Sequence, residues 1–151
     1  MQMHASCAAR DGDGVLLLGA SGSGKSDLVL RLIDIGFCLV ADDRVDITDG
    51  FASPPASLAG LLEVRGLGIL RVAHLPQARL RLAVALAQPA RLPEPRRVRE
   101  VLPALPADLS LPLVEIDPAA PSAARKVALA LDCVLGRQSV VAGLVPAGGA
   151  R

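Results

Sequence analysis

Apolar residues fall in short blocks divided by glycine, aspartate or proline, and the length and period of each block predict an α/β chain. Residues 3–9 and 15–18 are apolar-rich and flank Asp11-Gly12-Asp13-Gly14, a hairpin signal because such a turn needs positive φ. A Gly/Ser stretch follows. Leu28, Leu32 and Ile35 then recur at helical spacing, so a helix is expected from Lys25 to about Ile35. Gly36 stands where a left-handed C-terminal cap is needed. The next block, Phe37-Cys38-Leu39-Val40-Ala41, is continuously apolar, as in a strand buried on both faces, and it stops at Asp42-Asp43.

Beyond this point the blocks shorten. Residues 45–47 and 51–52 flank Thr48-Asp49-Gly50 and predict a small hairpin, which Pro54-Pro55 ends. Residues 58–62 read as one helical turn, and 69–72 and 80–86 as strands, with Arg79 and Arg81 alternating against apolar neighbours. The Pro-rich, charged stretch 88–112 predicts an extended surface loop, and 113–116 a last strand. Ser122 is expected to cap a helix to about Leu135, apolar at Val127, Leu131 and Val134. The expected division is a catalytic domain over 1–138 and a flexible tail over 139–151. Hairpins combined with a strand, glycine loop, helix and buried strand imply an α/β domain: a mixed, twisted sheet with helices packed against it.

Composition narrows the function. The 151 residues are 52% hydrophobic and 21% charged, with 16 basic and 15 acidic side chains and a net charge of +1. No strong field is present to recruit nucleic acid or an anionic membrane surface. No apolar run approaches the ~20 residues of a membrane span, and MQMHASCAARDGDG lacks the layout of a secretory signal. Cys7, Cys38 and Cys133 are isolated, which fits reduced core thiols of a cytoplasmic protein better than disulfides or a zinc site. Phe37 and Phe51 are too few to form a stacking platform for single-stranded nucleic acid.

Two motifs carry chemistry. Gly19-Ala20-Ser21-Gly22-Ser23-Gly24-Lys25-Ser26 matches GxxxxGK[ST] in full, between an apolar strand and an amphipathic helix. Its glycines let successive backbone N–H groups curl around phosphate oxygens. Lys25 reaches the β/γ-phosphates, Ser26 ligates Mg²⁺, and the helix directs its dipole at the same anion. Asp42 and Asp43 close the following strand, where a phosphotransferase needs a carboxylate for its metal and a base for the incoming hydroxyl. Glu63-Val64-Arg65-Gly66-Leu67-Gly68 is, taken alone, an ordinary turn.

Read together, His4, the glycine loop, LVADDRVDI (39–47), Pro54-Pro55 and LLEVRGLGIL (61–70) resemble the catalytic domain of HPr kinase/phosphorylase, whose signature is the EVRGLG segment. EIDP (115–118) and the helix after it resemble the end of short alphaproteobacterial forms. The resemblance implies a core like that of phosphoenolpyruvate carboxykinase, with ATP and Mg²⁺ as cofactors and the phosphocarrier HPr as the protein acceptor. It implies a reverse reaction in which inorganic phosphate releases pyrophosphate, and a homo-oligomer, hexameric in full-length relatives. Carried onto this chain, Lys25 and the loop amides hold phosphate and His4 contacts it. Asp42 is the base (the acid in reverse), Ser26, Asp43 and Glu63 serve the metal, and Arg65 shares the signature loop with Glu63. Arg125 or Lys126 would supply the basic residue that longer members place before their last helix. Full-length members have a further N-terminal domain with no counterpart here, and Asp27 stands where they usually carry Glu. Two rivals stay open: a small-molecule kinase, which needs a lid of ~30 residues, and a non-catalytic nucleotide sensor.

Overall fold

Alternate burial along two paired strands sets the layers of the molecule, whose computed structural model describes residues 1–146. β1 (Gln2–Met3) is followed by β2 (Ser6–Arg10) and β3 (Asp13–Leu18), and these last two form the predicted antiparallel hairpin. Its turn places Asp11 and Gly12 at φ of 54° and 82°. Ala8, Val15 and Leu17 face one side of the sheet, and Cys7, Ala9, Leu16 and Leu18 the other, the period-2 pattern of a doubly covered sheet.

The chain continues through α1 (Lys25–Ile33), β4 (Cys38–Ala41), β5 (Val45–Thr48), β6 (Phe51–Ser53), β7 (Leu61–Val64), β8 (Gly68–Arg71), β9 (Ala78–Leu86), β10 (Leu113–Ile116) and α2 (Ala123–Val134). Eight strands form one mixed sheet in the order β1-β5-β6-β9-β3-β2-β4, with β10 also alongside β9. β9 runs parallel to both β3 and β10, and the other pairs are antiparallel. β4 is therefore not the neighbour of the loop strand β3; β2 lies between them. Both helices pack on one face, where Leu28, Val29 and Leu32 of α1 meet Val127 and Leu131 of α2 in a single core.

Three expectations need correction. Residues 88–112 are not simply a surface loop: Val98, Leu105, Leu109 and Leu111 are buried against the face opposite the helices. The segment is pinned by Val98 N–H to Leu111 O (2.8 Å) and Leu113 N–H to Arg96 O (3.0 Å). Each such aliphatic burial contributes about 1.5–3 kcal/mol. Prolines break any period there, so the pattern alone cannot reveal the burial. Next, Leu61–Val64 is a strand and not a helical turn, because Leu62 and Val64 alternate inward while Glu63 points out. It pairs with β8 as a separate hairpin turned at Gly66 (φ 88°), and the helical element is a short 3-10 turn at Ala56–Leu58. Finally, the segment after Ser139 was expected to fray, yet Val145 is 2% exposed and Val140 and Leu144 pack on the α2 core. The rest of the expected tail, 147–151, lies outside the described residues.

Smaller shifts occur at helix ends. α1 stops at Ile33, and Gly36 (φ 102°) turns the chain so that Phe37 N–H reaches Leu32 O at 3.1 Å. Ser122 precedes α2 without a side-chain cap bond. Among the described residues no helix is long and apolar enough to cross a membrane.

The cysteines are free, and Cys7 and Cys133 are buried. Burial pushes the Cys7 thiol up to about 12, and it raises Cys133 as well, with help from the charge of Asp132. Above pH ~9 an unfolded thiol ionises while native Cys7 cannot. The stability it contributes is thus complete below pH ~9 and is lost as pH climbs toward 12. The unfolding free energy from urea curves between pH 8 and 10.5 should fall more steeply for the wild type than for Cys7→Ala, by up to about 1.4 kcal/mol per pH unit. Equal slopes would show that the thiol titrates in the native state.

Candidate active site

The glycine loop owes its shape to contacts only glycine permits. A Cβ on Gly19 would overlap the Ser23 hydroxyl and come within 3.2 Å of Ser23 Cβ. Gly22 and Gly24 lie at φ of 81° and 105°, which L side chains rarely adopt. Ser23 N–H closes the turn on Ala20 O at 3.0 Å. Gly24 is the N-cap of α1 and provides no side-chain cap, so the first-turn N–H groups of the helix are left for an anion. Lys25, 6% exposed, crosses the loop and donates to Gly19 O (2.6 Å) and Ala20 O (3.0 Å).

Asp42 reaches this loop through an irregularity in β4. Cys7 pairs with Ala41, but Ala8 pairs with Leu39, so Val40 is an extra residue, a bulge. Leu39 packs on the helix side, while Val40 and Ala41 both pack on the opposite side. The alternation skips a beat there, which aims Asp42 at α1. Bulges often re-aim side chains next to functional sites. Asp42 Oδ1 accepts from Ser26 Oγ (2.7 Å) and Ser6 Oγ (3.0 Å), and Oδ2 accepts from Glu63 N–H (3.2 Å). One carboxylate thus joins the phosphate-loop helix, strand β2 and the β7–β8 hairpin.

The other expected site residues are placed less centrally. Asp43 is exposed and left-handed (φ 70°), with its N–H on Ser6 Oγ at 3.1 Å and its carbonyl accepting from Ala5 N–H at 3.2 Å. His4 is not on a strand; it is exposed in the connection from β1 to β2, one residue before Ala5. Glu63 brings its backbone to Asp42 and keeps an exposed side chain on β7, and Arg65 is exposed in the turn beyond it. Ser26 and Asp42 are brought together; Asp43 and Glu63 do not join them as a carboxylate cluster. Among the described residues no group of three or more His, Cys, Asp or Glu converges as a metal cage. Arg125 and Lys126 are exposed on α2.

Three neighbours of the site are given no role in it by the sequence pattern. Ser6 is one. Pro118 stands 3.4 Å from where a Gly24 Cβ would be, and Arg31 fixes its segment by donating to Pro118 O (2.6 Å) and Ala120 O (3.3 Å). Arg31 also pairs with Asp27 at 3.1 Å. The bonds of Ser6 to Asp42 and of Arg31 to the Pro118 segment join positions 36 to 89 residues apart, beyond the reach of any local motif.

A family model described as the HPr serine kinase C-terminal domain matches residues 1–88. The chain belongs to that family. The HPr serine kinase C-terminal domain match takes in the glycine loop, Asp42-Asp43 and the β7–β8 hairpin, ending just after β9. A relative named HPr kinase/phosphorylase from Xylella fastidiosa is 44% identical over 96 residues, 54% of this chain and 30% of the relative. One from Aromatoleum aromaticum is 41% identical over 112 residues, 60% of this chain and 35% of the relative. The chain thus spans about a third of the length of these curated relatives. The solved structure of an HPr(Ser) kinase/phosphatase from Coxiella burnetii superposes with a TM-score of 0.67 at 25% identity. It covers 87% of this chain and 93% of that one, so the likeness extends past β9 into the half that holds β10 and α2.

Proposed function

We propose that this chain is the catalytic unit of an ATP-dependent serine kinase whose acceptor is HPr. The observation that carries the reading is the Asp42 carboxylate, which ties Ser26 of the phosphate loop to the backbone of the signature hairpin. The residues fit a magnesium nucleotide. Ser23 Oγ is buried without a partner at the centre of the loop, and Ser26 and Asp42 offer hard oxygens 2.7 Å apart. Mg²⁺ is commonly held by one or two such groups plus substrate phosphates. When bound, it would neutralise charge on the transferring phosphoryl group. Ser26 and Asp42 Oδ1 would hold it.

The loop amides and Lys25 bind and orient the phosphates, and the buried ammonium stabilises charge that grows during transfer. Asp42 Oδ2 retains a lone pair for the proton of the acceptor serine. As the serine oxygen bonds to the γ-phosphorus, the bond to the ADP oxygen breaks and the proton passes to Asp42. In reverse, an oxygen of inorganic phosphate bonds to the phosphoserine phosphorus as the bond to the serine oxygen breaks, Asp42 passes the proton it takes from the incoming phosphate to that serine oxygen, and pyrophosphate is the product. His4, Asp43, Glu63 and Arg65 border this centre and belong to substrate and phosphate recognition. A cytoplasmic homo-oligomer is part of the same reading. The segment 88–112 commits its apolar residues to the core beneath the sheet, which speaks against a lid for a small-molecule substrate.

The test is transfer from ATP labelled at the γ-phosphate to purified HPr, with an HPr variant in which the acceptor serine is alanine as control. Label on the serine form alone is expected. ATP binding without transfer to HPr would leave a nucleotide sensor, and label appearing on a metabolite instead would identify a small-molecule kinase.

A further inference from the structure

Ser6 and Lys25 are the two polar residues buried among the described ones, and both lie at this site. Lys25 has an evident role there. Ser6, with no exposure at all, sits in a strand whose neighbours Ala5, Cys7, Ala8 and Ala9 are apolar and buried. Packing alone would favour alanine, since a buried hydroxyl is costly unless bonded. Both of its bonds go to one corner: the hydroxyl donates to Asp42 Oδ1 at 3.0 Å and accepts from Asp43 N–H at 3.1 Å.

We propose that Ser6 is a positioning residue for phosphoryl transfer, fixing the direction of the Asp42 carboxylate and the left-handed backbone of Asp43 together. Two hydroxyls from different elements, Ser6 on β2 and Ser26 on α1, meet at Oδ1 and set the carboxylate plane that presents Oδ2 toward the hairpin. Ser26 is the oxygen assigned to the metal, so Ser6 is the hydroxyl left to hold Asp42 during turnover. The amide bond to Asp43 secures the same corner from the backbone, at a residue whose φ of 70° needs support. The catalytic part of this inference rests on the kinase reading; the positioning part does not.

The experiment compares wild type, Ser6→Ala and Ser6→Thr in three measurements: transfer kinetics with HPr, melting temperature, and hydrogen exchange at the Asp43 amide. Ser6→Ala should lower kcat about 10–100-fold, the size of effect that a small misplacement of a reacting group produces. The KM for ATP and the melting temperature should stay near wild type, Asp43 exchange should quicken, and Ser6→Thr should restore both kcat and protection. A kcat for Ser6→Ala close to wild type overturns the proposal. So does a loss in both variants that follows their melting temperatures, which would make Ser6 a packing residue. If the wild type transfers nothing to HPr, the kinase reading fails by itself. Asp43 exchange then decides the positioning: faster exchange in Ser6→Ala sustains it, and unchanged protection overturns it.

Discussion

Asp42→Asn is expected to lower kcat for transfer to HPr by about 10²–10⁴-fold, the range seen when a positioned general base is lost. Metal-free ATP binding should change little, because Lys25 and the loop amides are untouched, while the Mg²⁺-dependent part of the affinity should fall with the carboxylate charge. Two losses act together. The amide cannot take the serine proton, and it also fits the site poorly. If its Oδ1 keeps the hydroxyls of Ser6 and Ser26, its Nδ2 faces Glu63 N–H, donor against donor, where Asp42 Oδ2 now accepts at 3.2 Å. The hairpin contact should therefore loosen, visible as faster exchange at the Glu63 amide. Single-turnover transfer with ATP binding by calorimetry separates the effects. A variant that transfers at the wild-type rate removes Asp42 from the chemistry.

The second large effect is expected at Lys25. Lys25→Met keeps the unbranched aliphatic stem and removes the ammonium that bonds Gly19 O and Ala20 O. Loss of a preorganised charge at a phosphoryl centre costs about 10²–10³-fold in rate, and the nucleotide affinity should drop alongside it. Stability should not follow. Lys25 as a whole residue is 6% exposed and its ammonium bonds two backbone carbonyls and no carboxylate within the loop, so its removal leaves no unpaired charge there. The prediction is a folded protein with an equal or higher melting temperature and little transfer. A melting temperature that falls sharply would instead mean that Lys25 chiefly holds the loop closed.

What could be read from the sequence was what local spacing determines. The loop from Gly19 to Ser26, the helix behind it and the acids ending β4 each depend on residues within a few positions of one another, and each lies where expected. The geometry around Asp42 does not. That β2 stands between β3 and β4, that Val40 is extra, and that Ser6 meets Asp42 across 36 residues all follow from strand pairing, which periodicity cannot supply. Residues 88–112 show the opposite failure. Their prolines announce a loop correctly, yet Val98, Leu105, Leu109 and Leu111 still find a core. Composition reports where regular hydrogen bonding stops, not where burial stops.

The extra residue at Val40 also gives the end of β4 two frames. In the observed one, Asp42 faces Ser26. Smoothing the bulge would slide the strand end by one step, turn Asp42 to the other side of the sheet, and offer Asp43 to the helix instead. Adjacent acids mean that either frame presents a carboxylate, a degeneracy that a lone aspartate would lack. The Asp43 N–H on the Ser6 hydroxyl belongs to the observed frame. Insertions that lengthen the surface turns would be harmless by this logic. A single residue gained or lost between Leu39 and Asp42 would instead change which acid faces the nucleotide or how far it stands from Ser26.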